Sequence, residues 1–204
     1  MVKSFKLGEG TPVIIDVLRA SSTIITALAN GITEVVPVKS EKEAFKLKKQ
    51  GYLIAGERNG VKIEGFDLGN SPTELLQIIK GNSWEKLALK TTNATKLLCS
   101  LSEAYIVSTL NLKTAEKKFR DRKVSLIAVG SRHGLEEDVA VALALYKSLC
   151  GLKPDYELVR EKVLNSKAAK YLRSIGYGND VDFVVNATFD VMPKLKNGII
   201  RLES

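Results

Sequence analysis

Apolar residues in this chain fall in short blocks that alternate between two periods. Val13-Ile14-Ile15-Asp16-Val17 is a β-branched run suited to a buried strand, and Thr23 to Asn30 follows as a helical pattern stopped by Gly31. The same grammar predicts strands at Val35–Val38, Leu53–Ala55, Leu87–Lys90, Tyr105–Val107 and Val124–Val129. Between them it predicts helices over Glu41–Gln50, Pro72–Lys80, Ala94–Leu101, Lys113–Arg120 and Glu136–Leu149. Ser40-Glu41-Lys42-Glu43 and Ser71-Pro72-Thr73-Glu74 have capping-box form, the second with proline at the first helical position. Strands alternating with helices over short connections imply right-handed βαβ units. The expected class is therefore α/β, three αβα layers with a mainly parallel sheet covered on both faces.

The texture changes near residue 150. Helices are expected over 155–165 and 167–175, then a turn at 176–180, a short strand at Phe183-Val184-Val185, and a type I′ hairpin at Asn197-Gly198 joining 194–196 to 199–202. This divides the chain into an α/β core at 1–150 and a C-terminal extension or small subdomain at 151–204 that completes the fold. No internal repeat is visible in the sequence.

Composition narrows the function classes. The net charge of +8 comes largely from lysines spread over 41–50, 113–123 and 158–173, mixed with glutamates and without interleaved aromatics. That is a solvated face rather than a nucleic-acid stripe. No apolar run approaches the ~20 residues that span a bilayer, and the N-terminus lacks a signal-peptide h-region, so no secretory leader is expected. Cys99 and Cys150 stand alone and read as buried thiols of a reducing, cytoplasmic compartment. Abundant Lys and Glu, with Gln50 and Gln77 the only glutamines, suggest a thermophilic composition. A homo-oligomer is left open.

The candidate chemistry lies where predicted strands end. The segments there are Asp16 with Arg19-Ala20-Ser21-Ser22-Thr23, Glu57-Arg58-Asn59, Thr91-Thr92-Asn93-Ala94-Thr95, Ser108-Thr109, and Gly130-Ser131-Arg132-His133-Gly134. The glycine-rich stretch from Gly56 to Pro72 adds Glu64, Asp67, Asn70 and Ser71. In a parallel sheet these ends share one edge, where ligands bind. Hydroxyls, amides and helix N-termini there suit an oxyanion, which makes Ser21, Ser22, Thr23, Asn70, Ser71, Thr91, Thr92, Asn93 and Thr95 substrate-binding candidates. Plain helix capping is the competing reading for Thr91 to Thr95. Arg19 and Arg58 are suited to fork-like oxyanion contacts. Asp16, Glu57, Glu64 and Asp67 form a hard-oxygen set for Mg²⁺, with Asp16 and Glu57 favoured as direct ligands because strand ends are stiff. Asp16, Arg19, Glu57 and Asn59 are the catalytic candidates. There is no P-loop, Asp16-Val17-Leu18 lacks the second carboxylate of an Asp-x-Asp strand, and His133 is the only histidine.

These residues resemble a known family. Ile14-Ile15-Asp16-Val17-Leu18-Arg19-Ala20-Ser21, Ala55-Gly56-Glu57-Arg58-Asn59-Gly60, and Glu64-Gly65-Phe66-Asp67-Leu68-Gly69-Asn70-Ser71-Pro72 look like the 2-phosphosulfolactate phosphatases, with Thr91-Thr92-Asn93-Ala94-Thr95 and Glu137-Asp138 following in order. Ala94 stands where the family usually carries glycine. The resemblance implies a Mg²⁺-dependent hydrolase that converts 2-phospho-3-sulfolactate to sulfolactate on a route to coenzyme M. The implied partner is a small phosphorylated, sulfonated or carboxylated acid, with Lys62, Lys90 and Arg132 as basic rim residues. The alternative is a non-catalytic module on the same fold that binds a phosphometabolite or RNA.

Overall fold

The computed structural model describes residues 4–203. Its strands are β1 (Phe5–Leu7), β2 (Thr11–Ile15), β3 (Glu34–Pro37), β4 (Leu53–Arg58), β5 (Val61–Lys62), β6 (Lys86–Lys90), β7 (Glu103–Val107), β8 (Val124–Ala128), β9 (Pro193–Lys196) and β10 (Ile199–Leu202). The α-helices are α1 (Ala20–Ala29), α2 (Glu41–Lys48), α3 (Pro72–Ile79), α4 (Ala94–Leu98), α5 (Leu112–Phe119), α6 (Glu136–Leu149), α7 (Tyr156–Asn165), α8 (Lys167–Ser174) and α9 (Gly178–Asn186). Among the described residues no helix is long and apolar enough to cross a membrane.

One sheet runs β1-β8-β2-β7-β9-β10-β3-β6-β4-β5. It is mixed rather than mainly parallel. Parallel pairing is confined to β8-β2-β7 and β3-β6-β4, and the C-terminal hairpin β9–β10 lies between these halves, antiparallel to both. Pairing signs read the same from either edge, since β1 and β5 each close a half in antiparallel fashion. The halves are thus structural counterparts, although no repeat is visible in the sequence. Three successive antiparallel pairings make β3 run formally opposite to β7. Strand twist of about 20–25° per step accumulates to roughly 120–150° over the six steps from β2 to β4, enough to swing their carboxyl ends toward one another.

Period-two alternation decides which side each strand residue covers. Val13 and Ile15 of β2 join Val107, Leu126, Phe119, Val141 and Leu145 under α5, α6 and α7. Ile14 points the other way, into a cluster with Ile24, Leu28, Leu53, Leu89, Leu195 and Ile200. That second cluster draws on both halves and the hairpin, and α1 is its centre, buried from Ala20 to Leu28. Ile54, Ala88 and Ala44 form a smaller core beneath α2. Helices therefore cover both faces of the sheet.

Three local expectations change. The glycine-rich stretch is not one long loop, because β4 continues to Arg58 and turns through Asn59-Gly60 into β5. Both turn residues have positive φ, 55° and 87°, the type I′ geometry that Asn-Gly favours. The strand expected at Phe183–Val185 is part of α9, because Asp180, Val181 and Val184 are buried at helical rather than alternating spacing. The cysteines are not buried thiols: Cys99 is half-buried, and Cys150 is exposed at the end of α6, just before a positive-φ glycine. The Asn197-Gly198 hairpin forms as expected, with φ of 51° and 82°.

Because the hairpin joins the halves, its apolar residues are core residues. Leu195→Ala is expected to lower the free energy of unfolding by about 2–5 kcal/mol, whereas Leu202→Ala, on a 42% exposed residue, should change it by less than ~0.5 kcal/mol. Urea denaturation of both variants checks this, and equal midpoints would contradict the central placement of the hairpin.

Candidate functional site

The end of β2 is built around Asp16. Its Oδ1 accepts from Ala20 N–H at 3.0 Å, which caps α1 with a carboxylate, and Asp16 C=O accepts from Ser21 N–H. This cap starts α1 three residues earlier than the sequence pattern suggests. Ser21 and Ser22 are consequently enclosed in the turn: Ser21 Oγ accepts from Asp16 N–H, and Ser22 Oγ donates to Val17 C=O at 2.7 Å. The Leu18–Arg19 peptide is cis.

Opposite, Glu57 at the end of β4 accepts three hydrogen bonds. Thr92 N–H and Gly60 N–H donate at 2.6 Å each, and Thr92 Oγ1 donates at 3.0 Å. Glu57 thereby ties the β4–β5 turn to the β6–α4 turn. Gly56 beside it admits no side chain, since a Cβ there would lie 2.6 Å from Lys90 O.

The third wall comes from β8 and α6. Asp138 is buried in the first turn of α6 and accepts from Val17 N–H at 2.7 Å and from Gly130 N–H at 2.9 Å, clamping the ends of β2 and β8 together. Glu137, next to it, is 1% exposed, and its Oε2 has no hydrogen-bond partner among the described residues. The C-terminal helices supply the rest. Arg19 Nη1 pairs with Asp180 at 2.8 Å, its Nη2 donates to Gly60 C=O at 2.7 Å, and its guanidinium lies 4.1 Å from the Tyr177 ring centre. Asp180 also accepts from Ser71 Oγ and Thr73 Oγ1.

These groups enclose a cavity of about 200 Å³ lined by both halves. Four carboxylates line it, Asp16, Glu57, Glu137 and Asp138, against two arginines, Arg19 and Arg132. Burial, reinforced by the charges of Glu137 and Glu57, pushes Asp16 up to about 7. Asp138 is held well above the usual carboxylate range by burial and by Asp16, and burial raises Glu137 as well. Two further acceptors wait on the cavity: Asn70 Oδ1 is buried without a partner, and the second Asp16 oxygen takes no hydrogen bond among the described residues.

The structure brings together Asp16, Arg19, Glu57, Asn59, Asn70, Thr91, Thr92 and Asn93 of the residues singled out from the sequence, together with the Gly130–His133 segment and its rim residue Arg132. It places the others elsewhere. Arg58 is 71% exposed and paired with Glu41, because alternation along β4 turns it away from Glu57. Asp67 pairs with Lys48 and accepts from Ile54 N–H at 2.9 Å, near the start of β4 rather than its end. Glu64 is exposed and does not line the cavity. Ser71 caps α3, Thr23 lies within α1, and Thr95 and Thr91 cap each other. Ser108 caps the turn after β7 and stays outside the cavity. The Ala94 methyl packs into the central core, so it does not crowd the cavity. Sequence reasoning missed Glu137 and Asp138 as lining groups, although they follow a strand-end loop as the other site residues do. Nothing in the sequence marks Tyr171, Leu172 or Asp180 as neighbours of the site.

A family model described as 2-phosphosulpholactate phosphatase matches residues 2–198. The chain is 37% identical to a protein named probable 2-phosphosulfolactate phosphatase from Thermotoga petrophila, with 95% of this chain and 92% of the relative aligned. It is 36% identical to one of the same name from Caldanaerobacter subterraneus, covering 96% and 91%. Identity is 37% to a protein named 2-phosphosulfolactate phosphatase from Methanocaldococcus jannaschii, covering 89% and 86%.

The electrostatics of the cavity predict a pH-dependent stability. A carboxyl whose pKa is raised on folding stabilises fully below its unfolded value near 4 and loses that contribution as pH climbs toward 7. In EDTA the protein should lose on the order of a few kcal/mol over this window through Asp16 and its neighbours. Asp16→Asn should flatten the loss, measured as unfolding free energy against pH. An unchanged slope would show that Asp16 does not carry it.

Proposed function

The chain belongs to the 2-phosphosulfolactate phosphatase family, and on that premise we propose that its cavity hydrolyses the phosphate monoester of 2-phospho-3-sulfolactate, with water, to sulfolactate and inorganic phosphate, using Mg²⁺. The observation that carries the reading is the surplus of buried oxygen acceptors on one small cavity. An anionic substrate entering among four carboxylates meets only two arginines, one of them already paired with Asp180, so a further cation is needed to offset the charge.

The donor set fits Mg²⁺. No three His, Cys, Asp or Glu side chains among the described residues form a ready cage, but Mg²⁺ keeps most of its waters and usually takes only one or two carboxylates. Asp16 and Glu137, each with an oxygen lacking a partner, are the residues that would hold it, with Asn70 Oδ1 as a neutral oxygen nearby. Glu57 is spoken for by three donors, so its role is to fix the turns at Gly60 and Thr92. Bound there, the cation supplies Lewis-acid charge to the phosphoryl oxygens.

The remaining work is positioning, which dominates phosphoryl transfer. Asn59 and Asn93 line the cavity with amide donors, and Asn93 is oriented by its bond to Gly130 C=O at 3.2 Å. α1 and α6 both begin at the cavity, so their positive ends favour an anion between them. Asp138 holds those two beginnings at a fixed separation through Val17 and Gly130. Arg19, braced by Asp180, fixes the C-terminal helices against the β4–β5 turn.

Phosphate release from 2-phospho-3-sulfolactate should require Mg²⁺ and stop in EDTA. Asp16→Asn should lower kcat/KM by on the order of 10²-fold or more. Arg58→Lys should stay within about twofold, since it alters only an exposed ion pair. Metal-independent turnover, or a severe defect in Arg58→Lys, would sink this reading of the site.

A further inference from the structure

Two arginines line the cavity, and they stand in opposite situations. Arg19 is spent on Asp180, Gly60 C=O and the Tyr177 ring. Arg132 has no carboxylate within ion-pair distance among the described residues, yet it is not loose. Its Nε donates to His133 Nε2 at 3.0 Å and its Nη2 donates to Tyr171 OH at 3.2 Å. Its guanidinium lies 5.4 Å from the Tyr171 ring centre. His133 stacks on that ring at 4.0 Å, and Tyr171 OH donates to Asn59 C=O at 2.7 Å. A chain of aromatic and polar contacts thus holds one guanidinium at the cavity wall with Nη1 free. Burial and the Arg132 charge both disfavour a proton on His133, which leaves its Nε2 able to accept from Arg132.

Arg132 is exposed at the mouth of the cavity, so its braced guanidinium is open to an entering anion, and its planar fork matches two oxygens of one oxyanion. The basic rim residues Lys62 and Lys90 do not line the cavity. On the phosphatase reading the phosphate lies at the other wall, between the starts of α1 and α6. We propose that Arg132, held by His133 and Tyr171, is the specificity residue that binds the sulfonate of the substrate. This rests on the phosphatase reading above and adds which residue selects the sulfonated acid. The C-terminal segment therefore shapes substrate choice through Tyr171, although it contributes no carboxylate to the cavity.

The test compares three esters: 2-phospho-3-sulfolactate, 2-phosphomalate, in which a carboxylate replaces the sulfonate, and 2-phospholactate, which lacks both. Losing a charged hydrogen-bonding partner typically costs about 10–100-fold in binding. Arg132→Ala should raise KM for the sulfonated ester by that factor with kcat little changed, and leave 2-phospholactate within about twofold. Arg132→Lys should recover only part of the loss, and guanidinium ion added to Arg132→Ala should restore more of it. A loss on phosphomalate equal to that on the sulfonated ester would show a general oxyanion site and overturn the sulfonate assignment. An equal loss on 2-phospholactate would place Arg132 at the phosphate and overturn it too. Calorimetric binding of 3-sulfolactate tests the site without turnover. Wild type should bind at least ~10-fold more tightly than Arg132→Ala, and equal affinity, or no binding by wild type, overturns the proposal. Should wild type bind sulfolactate and release no phosphate, the phosphatase reading fails while the sulfonate site stands.

Discussion

A sheet whose two parallel halves run in formally opposite senses ought to send its strand ends to opposite edges, and in this protein it does not. The reversal is introduced by the β9–β10 hairpin, seated between β7 and β3. A twist of the usual size across the hairpin would turn the halves back toward each other, consistent with a cavity lined by both. Asp16 and Glu57, forty-one positions apart in sequence and six strands apart in the sheet, line one cavity.

Such an arrangement concentrates like charge. Asp16, Glu137 and Asp138 meet where β2 ends and α6 begins, and burial raises all three, reinforced by the charge of Glu137 on Asp16, of Asp16 and Glu137 on Asp138, and of Glu136 on Glu137. Only Asp138 is compensated by the backbone on both oxygens. The site thus separates structural from chemical carboxylates by their partners. Asp138 and Glu57 have their oxygens filled and tie loops together, while one oxygen each of Asp16 and Glu137 has no donor among the described residues. Residue type alone cannot make that distinction, because all four are acids following strand ends.

That is why the sequence was readable in part. Strand–helix alternation located most elements, because burial on both faces leaves β-branched runs and capping boxes that need no tertiary information. Asp16 stood out as a carboxylate inside an apolar run, and Asn59, Thr92 and Asn93 as polar groups at strand ends. The hairpin was visible from Asn197-Gly198, but its place at the centre of the sheet was not, since Lys194, Lys196 and Arg201 give it the look of an edge. Asp67 misled because it folds back on the start of β4 rather than its end, and Arg58 for a simpler reason. A one-residue step along a strand reverses the facing side, and the Asn59-Gly60 turn sets which residue of Glu57-Arg58 faces in. Tyr171 and Asp180 reach the site through helix packing between distant segments, which leaves no local signal.

The central claim of the proposed function is that the unpartnered oxygens of this cavity would hold one divalent cation before any substrate arrives. Mn²⁺ titration of the free protein, followed by electron paramagnetic resonance, measures this without turnover. The account predicts one Mn²⁺ per chain, displaced by Mg²⁺, with affinity reduced at least ~10-fold in both Asp16→Asn and Glu137→Gln. Undiminished binding in those two variants would place the cation elsewhere and contradict it.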